Sequence, residues 1–146
     1  MTTANVYLTF NGNCEEAFNF YQSVFGGEFS YVGKFKDMPP MEGQPPISPE
    51  HAEKIMHMAL PLSEETVIMG SDTMEEGDSN HVQGNNFSIS IDTDSKNKAD
   101  KLFDKLTSGG VTKMPMNKTF WGDYFGMLTD KFGINWMISF NENPQK

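Results

Sequence analysis

An internal repeat constrains the fold of this chain more strongly than any other feature of its sequence. Residues 6–10 are rich in β-branched and aromatic side chains, as a strand requires, and turn-forming residues 11–13 follow them. The next segment has apolar side chains at the i, i+3, i+4, i+7 spacing of an amphipathic helix, namely at Ala17, Phe20, Tyr21 and Val24. A glycine pair at positions 26 and 27 ends this predicted helix.

The second half of the chain repeats this order. Residues 87–91 alternate as a strand does, and the helical spacing recurs before a second glycine pair, at Ala99, Leu102, Phe103 and Leu106. Three further strand candidates follow each glycine pair: residues 28–36, 54–60 and 66–72, then residues 111–120, 125–130 and 135–140. The repeat predicts an α+β fold in a single domain of two βαβββ modules, at residues 1–72 and 86–141, with a linker at residues 73–85.

Each module is expected to leave one face of its sheet uncovered. A single helix covers one face of a four-stranded sheet, so a second module must complete the other. We therefore expect paired, curved, mixed sheets around a cup-shaped cavity that takes a small ligand.

A proline-rich excursion interrupts the first module at residues 37–53. Proline lacks the N–H that a central strand must donate, so this segment is not part of the sheet. Excursions of this length act as lids, binding loops or subunit contacts, and a plain surface loop is the alternative.

The charge balance excludes two classes of partner. The 146 residues contain 11 lysines, no arginine and 20 carboxylates, which gives a net charge of −9. Binding of nucleic acid or of an anionic membrane surface requires a basic face, so neither partner is expected. The lone cysteine, Cys14, and the absence of a signal-like start lead us to expect a cytoplasmic protein.

The paired modules resemble the vicinal oxygen chelate superfamily, which includes glyoxalases, extradiol dioxygenases, fosfomycin-resistance transferases and bleomycin-binding proteins. Particular segments resemble its PhnB-like branch: residues 7–17, 20–21, 25–27, 56–58, 70–72, 121–123 and 130–138. The resemblance covers nearly the whole chain. It implies the glyoxalase-like fold and a homodimer, but no single reaction, because one fold hosts many activities.

The resemblance also implies where a metal would bind. Metal-using relatives hold a divalent cation through His, Gln or Glu side chains on the first and fourth strands of both modules. Within one residue of register, those positions here are Val6, Met69, Asn86 and Met137. Valine has no lone pair, thioethers prefer cuprous copper, and one neutral amide cannot hold zinc, manganese or ferrous iron. We therefore predict that the superfamily's metal site is lost and that no cofactor is needed.

Some members of this branch carry a 3-demethylubiquinone methyltransferase label. The common S-adenosylmethionine fold uses a glycine-rich turn after its first parallel strand. The turn here is Asn11-Gly12-Asn13, and the chain contains no Gly-x-Gly-x-x-Gly. The sequence does not support that label.

Two residues are the candidate catalysts. His57 lies mid-strand and could act as a general base, a substrate donor or a fallback metal ligand beside a carboxylate. The alternative is an imidazole satisfied by one hydrogen bond. Asp72 ends a strand after Gly70-Ser71, where a ligand could approach the backbone, or it could cap a turn.

Five further residues are candidate ligand contacts: Met69, Asn86, Ser88, Trp121 and Tyr124. The two aromatic residues suit a flat ligand, although they could equally close the core. Asn86 and Ser88 belong to a polar row along the fifth predicted strand, which would face the cup or be merely hydrated. Cys14, by contrast, is expected to be structural filler at the start of the first helix.

Two functions remain open. One is a small-molecule enzyme that uses His57 and Asp72, with Trp121 as a stacking wall. The other is a non-catalytic binding protein in which aromatic and methionine side chains bury an apolar ligand. A histidine beside a carboxylate would favour the enzyme, and missing metal ligands favour the binder.

Overall fold

The computed structural model describes residues 2–39, 43, 47–73 and 81–141. The chain divides into two compact units, Met1–Val82 and Gln83–Lys146. The division falls within the segment proposed as the linker, residues 74–80 of which lie outside the described residues.

The first unit is a four-stranded sheet with one long helix. Its elements are β1 (Val6–Phe10), α1 (Cys14–Phe25), β2 (Tyr31–Lys34), a 3-10 turn (Phe35–Asp37), α2 (Pro49–Ala52), β3 (Ile55–Pro61) and β4 (Val67–Asp72). The strand order is β1-β4-β3-β2, in which β1 runs parallel to β4 and the other pairs are antiparallel. The first strand therefore lies beside the last.

The second unit has the same topology. Its elements are β5 (Ile89–Thr93), α3 (Lys96–Thr107), β6 (Val111–Lys118), β7 (Asp123–Thr129) and β8 (Asn135–Asn141). The order is β5-β8-β7-β6, again with the first and last strands parallel. The α+β prediction and the twofold βαβββ order are confirmed.

Most predicted strands differ from the observed ones at their ends, and β2 and β5 differ in ways that affect the site. β2 is confined to Tyr31–Lys34, because the register shifts between Gly33 and Lys34 and the chain then enters the 3-10 turn. β5 begins at Ile89 instead of residue 87, so the predicted strand residues Phe87 and Ser88 precede the parallel pairing with β8. Of the proline-rich excursion, residues 40–42 and 44–46 lie outside the described residues, and the short α2 lies within the rest.

Helix α1 packs on one face of the first sheet through side chains that are fully or almost fully buried: Cys14, Ala17, Phe18, Tyr21 and Val24. Phe20, predicted on this face, is only half-buried, and Phe18 packs edge-on against Phe10 of β1 instead. Burial of a large apolar side chain of this kind stabilises the fold by about 1.5–3 kcal/mol.

Helix α3 buries the four residues that the sequence pattern predicts: Ala99, Leu102, Phe103 and Leu106. They pack over a sheet face that includes Leu128, Trp136 and Ile138, all at most 1% exposed. Among the described helices, none combines the length and the apolar character that crossing a bilayer demands.

Candidate functional site

The strand register of the first unit separates two faces of its sheet. Leu8 lies opposite Gly70, which lies opposite Met58, and this row faces α1, since a side chain at Gly70 would meet Phe18. The neighbouring row faces away from α1 because side chains alternate along a strand. Its members are Tyr7, Met69, Ala59 and Tyr31. We call this second surface the open face of the first unit.

An aromatic cluster of Tyr7, His57 and Tyr31 lies on that open face. The Tyr7 ring stacks on the imidazole of His57 with 5.6 Å between ring centroids and 28° between planes. The Tyr31 ring approaches His57 from another direction, at 5.5 Å and 52°. Both tyrosines remain 49% exposed, so the cluster is accessible to a ligand.

The imidazole of His57 is also held by a hydrogen bond. Its Nδ1 lies 3.3 Å from the Tyr7 hydroxyl, and the tautomer decides which of the two donates. Among the described residues, the other ring nitrogen, Nε2, has no hydrogen-bond partner. The contact through Nδ1 therefore orients the imidazole, and Nε2 is the ring nitrogen outside that contact.

A glycine makes the contact between Tyr31 and His57 possible. Gly33 pairs with His57 across β2 and β3. A Cβ atom at position 33 would lie 2.8 Å from the Tyr31 ring, closer than side chains tolerate. The absence of a side chain at Gly33 leaves room for the ring beside the imidazole.

Asp72 lies on the other side of this sheet. It follows Gly70 by two residues, so its carboxylate points toward α1, away from His57. The carboxylate accepts backbone N–H groups at 2.9–3.0 Å, from Gly12 and Cys14 through Oδ1 and from Ile55 through Oδ2. Only 5% of Asp72 is exposed. Asp72 therefore links β4 to the backbone of the turn before α1, of α1 and of β3. The structure does not bring it together with His57.

Cys14 is fully buried beneath this carboxylate. Burial raises the pKa of its thiol far above the ordinary value, and the negative charge of Asp72 raises it further. A thiol that stays protonated is a poor nucleophile. The position agrees with the structural role expected from the sequence.

The second unit has an open face of different composition. Ser90 lies opposite Met137, which lies opposite Met127, which lies opposite Met114. This row lies on the face away from α3, since a side chain at the neighbouring Gly126 would meet Phe103 of the helix. Three thioethers give this row a soft and deformable surface.

Trp121 lies beside this open face. Its indole contacts the rings of Phe120 and Phe125 edge-on and donates from Nε1 to Oδ2 of Asp123 at 3.0 Å. The residue is 51% exposed. The prediction that Trp121 offers an aromatic wall is compatible with this position.

Tyr124 points to the opposite side of the sheet from Phe125, toward α3. Its hydroxyl donates to Oδ1 of Asp100 at 2.5 Å, and the ammonium of Lys96 lies 4.9 Å from its ring centroid. The hydrogen bond to Asp100, together with burial, raises the pKa of Tyr124 to about 12. The structure therefore separates Tyr124 from Trp121.

The predicted polar row of the fifth strand is shorter than expected. Asn86 is exposed and Ser88 half-buried, and both precede β5. Ser90 alone of that row pairs within the sheet. The sequence predicts an earlier start of this strand because polar and apolar residues already alternate at positions 86–88. The parallel partner β8, however, pairs only from Ile89 onward.

Asp130 has a structural role in the turn between β7 and β8. Its Oδ1 accepts the N–H groups of Phe132 and Ile134, and Oδ2 accepts from Nε1 of the buried Trp136 at 2.8 Å. These bonds explain how a tryptophan N–H is satisfied inside the core.

The residues at the superfamily's metal positions do not fit a divalent cation. Val6 pairs with Ile68 on the α1 side, so the side chain beside Met69 on the open face is that of Tyr7. In the second unit the side chain beside Met137 is that of Ser90. A phenol, a hydroxyl and thioethers are weak ligands for zinc, manganese or iron. Among the described residues, no three His, Cys, Asp or Glu side chains come together as a metal site would require.

Comparison with known proteins assigns the family. The sequence model of the Glyoxalase/Bleomycin resistance protein/Dioxygenase superfamily matches residues 3–138. The chain belongs to this superfamily. The resemblance inferred from the repeat is thereby confirmed.

Known proteins resemble the chain in sequence and in structure. Protein YjdN of Escherichia coli K12 is 32% identical over 138 residues, which cover 91% of each chain. The crystal structure of protein PA1353 from Pseudomonas aeruginosa is 35% identical, with a TM-score of 0.81 over 98% of this chain and all of the other.

A third similar structure comes from Bacillus cereus and is described as a putative 3-demethylubiquinone-9 3-methyltransferase, PhnB protein. It is 24% identical, with a TM-score of 0.73 over 95% of this chain and 99% of its own. At this identity the likeness shows a shared fold.

The aromatic cluster was only partly predictable from the sequence. The sequence pattern singles out His57 by its position in the middle of a strand, whereas it indicates no more for Tyr7 and Tyr31 than that they lie in strands. The alternation of β1 could have identified Tyr7, because Leu8 and Phe10 are buried and the intervening positions must face away from α1. The contact between Tyr31 and His57 depends on the register of β2 against β3, which the sequence does not reveal.

Proposed function

We propose that this member of the superfamily binds a small molecule on the open face of its first unit, and that it does so without the superfamily's usual metal ion. The observation that carries the proposal is the pair of half-exposed tyrosine rings on either side of the His57 imidazole. Small-molecule sites combine apolar and aromatic surface with a few oriented polar groups, which is the composition of this cluster.

The chemistry of the cluster favours a flat, partly apolar ligand with one polar group. Tyr7 and Tyr31 offer ring faces and edges, and Met69, which lies beside Tyr7, adds polarizable surface. Nε2 of His57 would hydrogen-bond the polar group of the ligand. The hydrogen bond between Nδ1 and Tyr7 would fix the orientation of that nitrogen.

The absence of a metal is proposed from donor chemistry. Tyr7, Met69, Ser90 and Met137 occupy the positions that would carry ligands, and none is a strong ligand for a divalent cation. The methyltransferase description of the Bacillus cereus neighbour is not extended to this chain, which has no glycine-rich nucleotide turn.

Turnover is the second candidate function, and His57 is the residue that favours it. An imidazole within reach of a bound ligand could act as a general base. Asp72 could not orient it, because the carboxylate lies on the opposite face of the sheet. Any catalysis would therefore depend on His57 with the hydroxyl of Tyr7.

A thermal-shift screen tests the proposal directly. The purified chain would be heated with a library of small aromatic and heteroaromatic acids, alcohols and amides, and separately with zinc or manganese, each with and without chelator. A ligand that binds the folded state raises the melting temperature. We expect stabilisation by at least one organic compound whether or not chelator is present.

The matched variants are His57→Ala and His81→Ala. Stabilisation by a hit should be lost in His57→Ala and kept in His81→Ala, because His81 lies outside the cluster. Equal loss or equal retention in both variants would contradict the site. Chelator-sensitive stabilisation by zinc or manganese would contradict the metal-free proposal and support a metal-dependent enzyme instead.

The homodimer stays a prediction from the superfamily resemblance. Light scattering at micromolar concentration should give the mass of two chains, and the mass of one chain would contradict it.

A further inference from the structure

The second unit contains a basic pocket that lies on the α3 side of its sheet. It has a volume of about 140 Å³ and is lined by Lys96, Asn117, Lys118, Gly122 and Tyr124. Lys96 is the first residue of α3, and Lys118 lies opposite Tyr124 at the end of β6. The pocket therefore lies between the start of the helix and the ends of two strands.

We propose that this pocket binds a small oxyanion, a phosphate or a short carboxylate. The proposal is independent of the aromatic cluster, which belongs to the first unit.

The charges of the pocket are unusual for this chain. The protein as a whole carries a net charge of −9, yet two lysines converge here. Within the described residues the ion pairs are those of Glu53 with Lys34 and Lys36, and neither pocket lysine is in one. Two ammonium groups without a carboxylate partner offer charge-assisted hydrogen bonds to an incoming anion.

Two carboxylates close to Tyr124 accept hydrogen bonds from other side chains. Asp100 accepts the Tyr124 hydroxyl, and Asp123 accepts from Trp121 and from Asn141. The negative charge of Asp104 also acts on Tyr124.

Tyr124 positions one of the cations. Its ring lies 4.9 Å below the Lys96 ammonium, a cation–π contact that restricts an otherwise flexible side chain. The phenol donates to Asp100 and is neutral near pH 7, so it does not repel an anion. The ring thus forms a neutral wall of the pocket.

The remaining lining residues suit a compact ligand. Asn117 pairs with Phe125, so its side chain lies on the other side of β6 from that of Lys118, and it borders the pocket beside this lysine. Gly122 adopts φ +100° and would have open space around a Cβ, so the turn leaves the pocket mouth clear. The ammonium groups of Lys96 and Lys118 are donors of the kind that an oxyanion accepts from.

Titration of the ¹⁵N-labelled full chain with inorganic phosphate and, separately, with malonate tests the proposal by NMR, with sodium chloride as the ionic-strength control. We expect saturable amide shifts at Asn117, Lys118 and Gly122 for at least one anion and none that saturate with chloride. Saturation by phosphate alone or by malonate alone would also identify the class of oxyanion. Absence of saturable shifts with both anions would overturn the proposal.

Two double variants change the charge equally. Lys96→Ala with Lys118→Ala removes both pocket cations, whereas Lys101→Ala with Lys113→Ala removes exposed lysines from the same helix and strand. The pocket variant should weaken binding at least about tenfold, since it removes both donors of charge-assisted hydrogen bonds to the anion. Equal weakening in both variants would overturn the proposal, because it would show general charge attraction. If the pocket variant does not fold, the single variant Lys118→Gln replaces it and should weaken binding in the same direction.

Discussion

The carboxylate of Asp72 accepts the backbone N–H of Cys14 at 2.9 Å, which ties the last strand of the first sheet to the first turn of α1. The same side chain accepts from Gly12 and Ile55. One buried residue thus holds the start of a helix, the preceding turn and the start of β3. The N-cap residue of α1, Asn13, makes no capping hydrogen bond, so Asp72 supplies the cap for the first turn of this helix.

Replacement of this carboxylate should destabilise the protein strongly. Asp72→Ala leaves three backbone donors without their acceptor, and we expect a loss of about 2–4 kcal/mol in the free energy of unfolding. Urea unfolding followed by circular dichroism measures it. Glu64→Ala is the control, because it removes an exposed carboxylate of the same unit and should change stability by less than about 0.5 kcal/mol. Equal stability of the two variants would show that Asp72 does not fasten the fold.

The thiol of Cys14 should be unreactive while the protein is folded. The side chain is fully buried and its pKa is raised by burial, so thiolate is scarce and inaccessible. A chromogenic disulfide reagent should label the native chain very slowly and the chain in guanidinium at once. Rapid stoichiometric labelling of the native protein would contradict the burial of this residue.

Tyr124 should titrate well above an ordinary tyrosine. Its hydrogen bond to Asp100 raises the pKa from 10.0 to about 12. Because the native state favours the protonated phenol, this contribution to stability is complete below pH 10 and is lost as the pH rises through 12. Ultraviolet difference spectra of wild type and Tyr124→Phe isolate its titration. In Asp100→Asn the pKa should fall toward 10, and an unchanged midpoint would rule out Asp100 as the cause.

A methyl group at Gly70 should be poorly tolerated. A Cβ atom there would lie 2.7 Å from the Phe18 ring and 2.8 Å from the carbonyl oxygen of Leu8. Since the backbone oxygen cannot move freely, Gly70→Ala should cost about 1–3 kcal/mol. Gly84→Ala, where the nearest atom is 3.6 Å away, is the matched control. Thermal melting of both variants compares the two sites.

The two tryptophans should differ in their access to solvent. Trp121 is 51% exposed, whereas Trp136 is fully buried and bonded to Asp130. Acrylamide should therefore quench one component of the fluorescence, and Trp121→Phe should remove that component. Strong quenching that persists in Trp121→Phe would place Trp136 at the surface and contradict the packing of β8.

The sequence predicts the fold far better than it predicts the site. Helix spacing, glycine pairs and β-branched runs are local patterns, so both βαβββ modules could be predicted, and β1 was placed to the residue. The position of Asp72 depends on which side of β4 its side chain occupies and on donors in three distant segments. Local patterns do not contain that information.

The aromatic cluster illustrates the same limit. His57 and Tyr31 meet because β2 and β3 pair with Gly33 opposite His57, a register set by a bulge at the end of β2. Likewise, Trp121 and Tyr124 are near in sequence but lie apart: Trp121, which precedes β7, contacts Phe125, whereas Tyr124 points toward α3. Proximity in sequence suggested a joint aromatic wall, but the alternation of β7 puts Phe125 and Tyr124 on opposite sides of the sheet.

The pairing of first and last strands has a consequence during synthesis. Phe10 of β1 pairs with Asp72 of β4, so β1 has no partner strand in its own chain until residue 72 has been synthesised. Until then the edge of β1 is unpaired. Long-range pairing of this kind forms slowly compared with local hairpins. A nascent or truncated chain that stops short of β4 would leave β1 free to pair with the β4 of another copy, and we expect exchange of β4 between molecules as a route of misassembly.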